Sequence, residues 1–353
     1  MRAIRKGDQE ARAGQASAKG ARSTGKGRTW GAGAGEPRAN LYDEVTARII
    51  GELEAGRIPW AQPWGNVPGG DTAMVAMPRN ALTGRTYSGI NVLILWGAVI
   101  ANGWPSQGWL TFRQAQEAGA TVRKGERGTC VVYADRFTPE AEKQRARETG
   151  ENARAIPFLK RFTVFNIAQC EGLGVEPGDG LVPDPAPLPE REIVPVAESV
   201  IAASGVDFRI GGDKAYYAPG PDYVQVPPQC AFFEPVNFYR TCLHELTHAV
   251  GHSSRLNRNL AGSFGSKDYA REELIAEMGS AFLCASLGIE PTVRHSDYIG
   301  AWLDVLHEDN RAIFRAASAA SKAADWLLAR HSAAQAAGQE CAPQCTGDEE
   351  AVS

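Results

Sequence analysis

The chain has 353 residues, 43% of them hydrophobic and 22% charged, and a net charge of −4. That length allows two domains with cores of their own, and that composition excludes a wholly disordered or fibrous protein. No apolar run reaches the ~20 residues that span a bilayer, and seven scattered cysteines exclude a disulfide framework and suit the reducing cytoplasm.

The charge is unevenly spread. Residues 1–170 hold 24 Lys and Arg against 15 Asp and Glu, while the remainder holds 13 against 26. A basic half beside an acidic one points to an anionic partner for the first, nucleic acid above all. Much of the surplus lies in residues 1–40, a Gly-, Ala-, Lys- and Arg-rich tail with few large apolar residues. Such a tail is expected to be disordered. It suits salt-sensitive phosphate contact, and it equally suits an idle extension. It lacks the apolar centre of a secretory signal.

Leu41–Gly56 predicts an amphipathic helix closed by Gly56. Ile58-Pro-Trp-Ala-Gln-Pro-Trp predicts a rigid turn carrying Trp60 and Trp64. Helices are expected over Val92–Asn102 and Arg113–Gly119. A basic turn, Val122-Arg-Lys-Gly-Glu-Arg-Gly, then leads to a strand at Thr129–Tyr133 with a sheet neighbour at Leu159–Asn166. Five of the eight tryptophans fall between positions 60 and 109. Rings interleaved with cations are what single-stranded DNA needs, since bases stack and the backbone tracks positive charge. The candidate DNA contacts are therefore Trp60, Trp64, Arg79, Arg85, Tyr87, Asn91, Trp109, Arg123 and Lys124. The same tryptophans also suit a core.

Gly174–Pro195 holds six prolines and predicts an extended linker. The expected organisation is a basic tail over 1–40, a domain over 41–172, a linker over 173–191, a second domain over 192–332 and a disordered tail over 333–353. The fold class is α+β in two domains.

In the second domain, short strands are expected at Val206–Ile210, Ala215–Pro219 and Tyr223–Pro227, with a turn at Gly220. A helix then carries His244-Glu245-Leu246-Thr247-His248. Two histidines four apart share a helix face, so both imidazoles can reach one Zn²⁺ with the intervening Glu beside the activated water. After a polar loop, Gly251–Lys267, a second helix presents Glu273 and Glu277 four apart on a face of small residues, Ala276 and Ser280. A catalytic zinc site wants three protein ligands and one open position. Glu273 is the expected third ligand, and Glu277 the carboxylate holding a ligating His through its other ring nitrogen; the reverse assignment stays open. Glu272 is expected to face solvent. Such a site hydrolyses an amide, with Glu245 taking the proton. His252 does not match the spacing of a third histidine ligand, since position 254 is Ser254. His295 is a weaker candidate ligand near a helix start, and Tyr298 is expected to pack on a Trp302/Val305 stripe.

Leu41-Tyr42, Val45-Thr46, Ile49-Ile50, Leu53-Glu54, Gly56, Pro59-Trp60 and Pro63-Trp64 resemble the start of the ArdC-type antirestriction family. Asn80-x-x-Thr83-Gly84-x-x-Tyr87-x-Gly89-x-Asn91, Trp109-x-Thr111 and Val122-Arg-Lys-Gly-Glu continue the likeness. Phe238-Tyr239, the His244–His252 segment and Tyr269-x-x-Glu272-Glu273-Leu-x-Ala-Glu277 resemble that family's metallopeptidase-like domain. The resemblance covers about positions 41–330. It implies an N-terminal single-stranded DNA-binding domain shared with plasmid primases, a zincin-like domain, and a role on mobile elements in protecting incoming DNA from host restriction. The expected partner of the zinc site is a host protein, which it either cuts or merely engages. The competing readings are a single-stranded DNA-binding protein whose zincin domain is catalytically idle, and a primase-associated accessory protein.

Overall fold

The computed structural model describes residues 41–61, 76–173, 190–291 and 298–340. In the first region the elements run α1 (Leu41–Glu54), β1 (Arg79–Asn80), α2 (Ile90–Asn102), β2 (Gly108–Thr111), α3 (Phe112–Glu117), β3 (Thr121–Val122), β4 (Thr129–Phe137), α4 (Glu140–Thr149), β5 (Ile156–Asn166) and β6 (Cys170–Glu171). In the second they run α5 (Glu190–Ser204), β7 (Asp207–Ile210), β8 (Tyr216–Ala218), β9 (Tyr223–Val226), α6 (Pro235–Val250), α7 (Lys267–Ser286), α8 (Ile299–Glu308) and α9 (Ala312–Glu340).

Helix α1 buries Thr46, Ile49 and Leu53, the three- and four-residue spacing of a single face. Helix α2 is apolar nearly all round and is buried accordingly. The first region's main sheet has the order β1-β2-β5-β4. Strands β4 and β5 form an antiparallel ladder from Thr129↔Val164 to Phe137↔Ile156. Strand β4 lies at the sheet edge, where unpaired backbone groups would invite foreign strands. Asn91 of α2 closes part of that edge. Its Nδ2 donates to the Val132 carbonyl at 2.7 Å, and its Oδ1 accepts from the Val132 amide at 2.8 Å.

The second region holds a three-stranded sheet in which central β9 runs parallel to β7 and antiparallel to β8, so β8 is an edge. Two expectations about its limits change. Pro195 lies inside α5 rather than in an extended linker, and α9 continues to Glu340, past the expected end at 332, with residues 332–338 exposed.

The two regions share one apolar cluster. Trp60 packs edge-on against Trp302 with ring centroids 5.6 Å apart, and Trp96 against Phe282 at 5.7 Å. Tyr42 meets Phe314 at 4.7 Å. Polar ties cross the same seam: Thr46 Oγ1 donates to the Asn310 carbonyl at 2.7 Å, and the Gly89 amide to Ser321 Oγ at 2.8 Å.

Candidate metal centre

Helix α6 starts with Pro235 at its first turn, where the missing N–H costs nothing. It is buried along most of its length because it lies between the small sheet and α7. Its C-terminal carbonyls are satisfied by two arginines of the following loop. Arg255 Nε donates to the Ala249 carbonyl at 2.8 Å, and Arg258 Nη2 to the Thr247 carbonyl at 2.6 Å. Helix α7 begins at the Ser266 cap, whose hydroxyl accepts from the Tyr269 amide at 3.2 Å. The two helices approach closely at Gly279, where a Cβ would stand 2.5 Å from Thr247 Cγ2. That contact sets the depth at which carboxylates of α7 meet histidines of α6.

At that depth three donors converge. His244 Nε2 lies 3.6 Å from Glu273 Oε2, and His248 Nε2 lies 3.5 Å from Glu273 Oε1. One donor atom from each of the three residues falls within 4.8 Å of the others. These separations are long for hydrogen bonds. They match two ligands about 2.0–2.1 Å from one tetrahedral ion, which stand about 3.3 Å apart. The chemistry of the set, two imidazoles and a carboxylate, suits a divalent cation.

The outer nitrogens face carboxylates. His244 Nδ1 lies 3.6 Å from Glu277 Oε1. His248 Nδ1 lies 3.1 Å from Glu272 Oε1. Glu272 therefore corrects the expectation of a solvated side chain: it is 8% exposed and grips both His248 and Arg258. Its position beside Glu273 made it look peripheral, yet helix rotation carries it to His248.

Charge balance follows from this packing. Burial pulls His248 toward the neutral form, but Glu272, Glu273 and Glu245 outweigh it and raise its pKa to about 9. Burial pushes Glu273 up, and the two histidines with the Tyr269 hydroxyl pull it down to about 2. Burial also raises Glu272, yet His248 and Arg258 hold it below its ordinary value.

A cavity of about 270 Å³ opens on this cluster, lined by Tyr216 and Tyr217 of the β8 edge and Pro219 just after it, by His244, Glu245 and His248, and by Leu260, Gly262 and Tyr269. Glu245 thus faces the same space as the three donors. Tyr269, one turn before Glu273 on the same helix face, also enters it. Burial, Tyr298 and Glu273 all keep its hydroxyl protonated. The sequence places Tyr269 in the family motif without assigning it to the centre, although its four-residue offset from Glu273 puts both on one helix face.

Comparison with known proteins agrees with both halves of this architecture. Residues 39–165 match the N-terminal domain of anti-restriction factor ArdC, and residues 195–319 match a zincin-like metallopeptidase. The metal-free crystal structure of antirestriction ArdC from plasmid R388 is 40% identical, covers 83% of this chain and 98% of its own, and aligns with a TM-score of 0.67. The chain belongs to the ArdC antirestriction family. A Mn(II)-bound structure of the R388 protein aligns with a TM-score of 0.66 at the same identity and coverage. The uncharacterized protein y4eC of Sinorhizobium fredii (strain NBRC 101917 / NGR234) is 41% identical over 302 residues, 84% of this chain and 94% of its own. A DNA primase TraC of Escherichia coli is 38% identical over 312 residues, which are 83% of this chain and 27% of the primase.

Within this ArdC family member, the expected DNA contacts scatter. Trp60 and Trp109 are 0% exposed, so neither ring has a face to offer a base. That corrects both assignments: Trp60 fills the seam against Trp302, and Trp109 packs on Trp104 at 5.7 Å. Asn91 is committed to the β4 edge, and Arg79 is buried at 6% exposure. Half-buried Tyr87 shares with Arg79 and Arg85 a cavity of about 500 Å³ against α7 and α9. Arg85, Arg123 and Lys124 are exposed, with Arg123 bound to Glu126 at 2.7 Å. Trp64 and His295 lie outside the described residues. The rings that do face solvent in this region are others: Phe112, Tyr133, Phe137 and Phe162, with Tyr133 and Phe162 paired edge-on at 6.4 Å. In the second region, His252 pairs with Ser254 at 2.8 Å and stands apart from the centre, and Tyr298 stacks on Trp302.

Proposed function

We propose that this protein is an antirestriction factor that binds single-stranded DNA through residues 41–172 and hydrolyses a peptide bond of a host protein at the α6–α7 centre. His244, His248 and Glu273 hold Zn²⁺ there, Glu245 is the catalytic base, and Glu277 fixes His244 from outside. The observation that carries the reading is the convergence of both Nε2 atoms on the two oxygens of Glu273, with Glu245 facing the adjoining cavity. A divalent cation bound there supplies Lewis acidity toward water and a carbonyl oxygen.

The chain's own residues do the rest. Glu245 takes a proton from the attacking water and returns it to the leaving amine. The Tyr269 hydroxyl, kept protonated, donates toward negative charge developing on the carbonyl oxygen. The β8 edge offers backbone groups to an extended peptide beside the centre.

DNA binding is supported by the family's N-terminal domain, by the likeness to primases, and by exposed Arg85, Arg123 and Lys124 together with exposed rings in the same region. The basic tail over 1–40 adds phosphate contacts. Both activities belong in the cytoplasm, where incoming DNA meets restriction. No helix among the described residues is long and apolar enough to cross a membrane.

The test is a Glu245→Gln variant, assayed beside wild type for metal content, for cleavage of proteins from a restricting host, and for protection of transferred DNA. Retained metal with lost cleavage and lost protection supports the reading. Full protection by Glu245→Gln would leave DNA binding as the whole function and the centre idle. Labelled single- and double-stranded oligonucleotides across a salt series test the first half; equal affinity for both would sink it.

A further inference from the structure

A ligating imidazole presents one nitrogen to the metal and needs the other held still. For His248 the holding group is Glu272, and Glu272 is itself held. Arg258 Nη2 donates to Glu272 Oε1 at 2.6 Å, and its Nε donates to Oε2 at 3.2 Å. The same Nη2 donates to the Thr247 carbonyl at 2.6 Å, one residue before His248. Both side chains are sheltered, 10% exposed for Arg258 and 11% for Glu272. A buried carboxylate without a cation is costly, and a two-point grip removes its freedom to turn away from the imidazole. Gly251 makes the grip possible, since a Cβ there would stand 2.8 Å from the guanidinium carbon.

We propose that Arg258 is a positioning residue of the metal centre: it locks Glu272 onto His248 Nδ1, so that Nε2 stays turned toward Glu273. This rests on the metal-centre reading above. Arg258 belongs to the loop whose Leu260 and Gly262 wall the cavity, so the clamp also couples that wall to metal affinity.

Zn²⁺ affinity of the full chain, measured against a competing chromophoric chelator, tests the clamp. Glu272→Gln should weaken binding by about 10–100-fold, as loss of an outer carboxylate does. Arg258→Ala should weaken it by about tenfold, and Arg258→Lys, which keeps the charge but not the fork, by less. The deciding measurement is the double variant. Arg258→Ala placed on Glu272→Gln should cost less than about a further twofold, because the arginine acts through the carboxylate.

Melting of the metal-free proteins separates folding from binding, and Arg258→Lys carries the test where Arg258→Ala does not fold. Fully additive losses would overturn the proposal and leave Arg258 a loop anchor acting through the Thr247 carbonyl. Wild-type affinity in Arg258→Ala would remove the clamp while the metal centre stands. Failure of wild type to bind either Zn²⁺ or Mn²⁺ would remove both.

Discussion

The α6–α7 pair and the tryptophan-rich first region are both buried, and burial means opposite things in them. Along α6 and α7, His244, Glu245, Glu272, Glu273 and Glu277 are each at most 8% exposed. Burying such groups is costly unless they face one another or an ion, so a cluster of them held at a cavity signals a site. In the first region the candidates were rings, and a tryptophan removed from water is simply following its solvation preference. Trp60 and Trp109 lose their candidacy by the observation that strengthens the histidines'. The same degree of exposure has to be read against what each side chain costs to bury.

The largest expected effect is at the centre. His248→Ala removes a donor and should lower Zn²⁺ affinity by more than the about 10–100-fold carried by outer partners, read by metal content after chelator challenge. Unchanged metal content would break the polar half of the comparison. Next comes Trp60→Ala, which opens the seam against Trp302 and should cost about 3–5 kcal/mol in urea unfolding. Normal stability with lost DNA affinity would instead restore Trp60 as a stacking platform. Gly279→Ala drives a methyl into Thr247 and should cost about 1–3 kcal/mol by overpacking, with a measurable loss of metal affinity as α7 is pushed off α6.

The smallest effect is electrostatic. Asp222 sits at the β8–β9 turn with φ 55°, accepts from Tyr217 at 2.8 Å and pairs with Arg255. Burial raises its pKa, but Arg255 and Tyr217 prevail and hold it below its ordinary value. A depressed folded-state pKa contributes stability above the unfolded carboxylate value and loses it as pH falls through the folded one. Asp222→Asn keeps the left-handed backbone, which Asn tolerates, and should cost about 1 kcal/mol at neutral pH. The difference from wild type should shrink toward zero in acid melts below the ordinary carboxylate range. A constant difference across that range would show that the charge of Asp222 does not anchor β8.

Local pattern carried much of this protein into view. Helix α1 with Gly56, the β4–β5 pairing, the three short strands and the helix bearing His244 and His248 all follow from periodicity, glycines and caps, which act within a few residues. The candidate donors on each helix were also legible, because four-residue spacing is a property of one helix. Glu272 was not. Its contact with His248 depends on how α7 is rotated about its axis, and that is set where Gly279 meets Thr247 and where Arg258 folds back from the loop. The exposed rings Tyr133 and Phe162 were missed for a related reason: alternation along a strand tells which residues share a face, but not which stretch of that face a neighbour covers. By itself, then, the sequence determined most of the elements, the family and the candidate donors of the centre, since each rests on short-range spacing. Only the tertiary structure decided which carboxylate holds which imidazole and which aromatic rings meet water, because both depend on long-range packing between segments far apart in the chain.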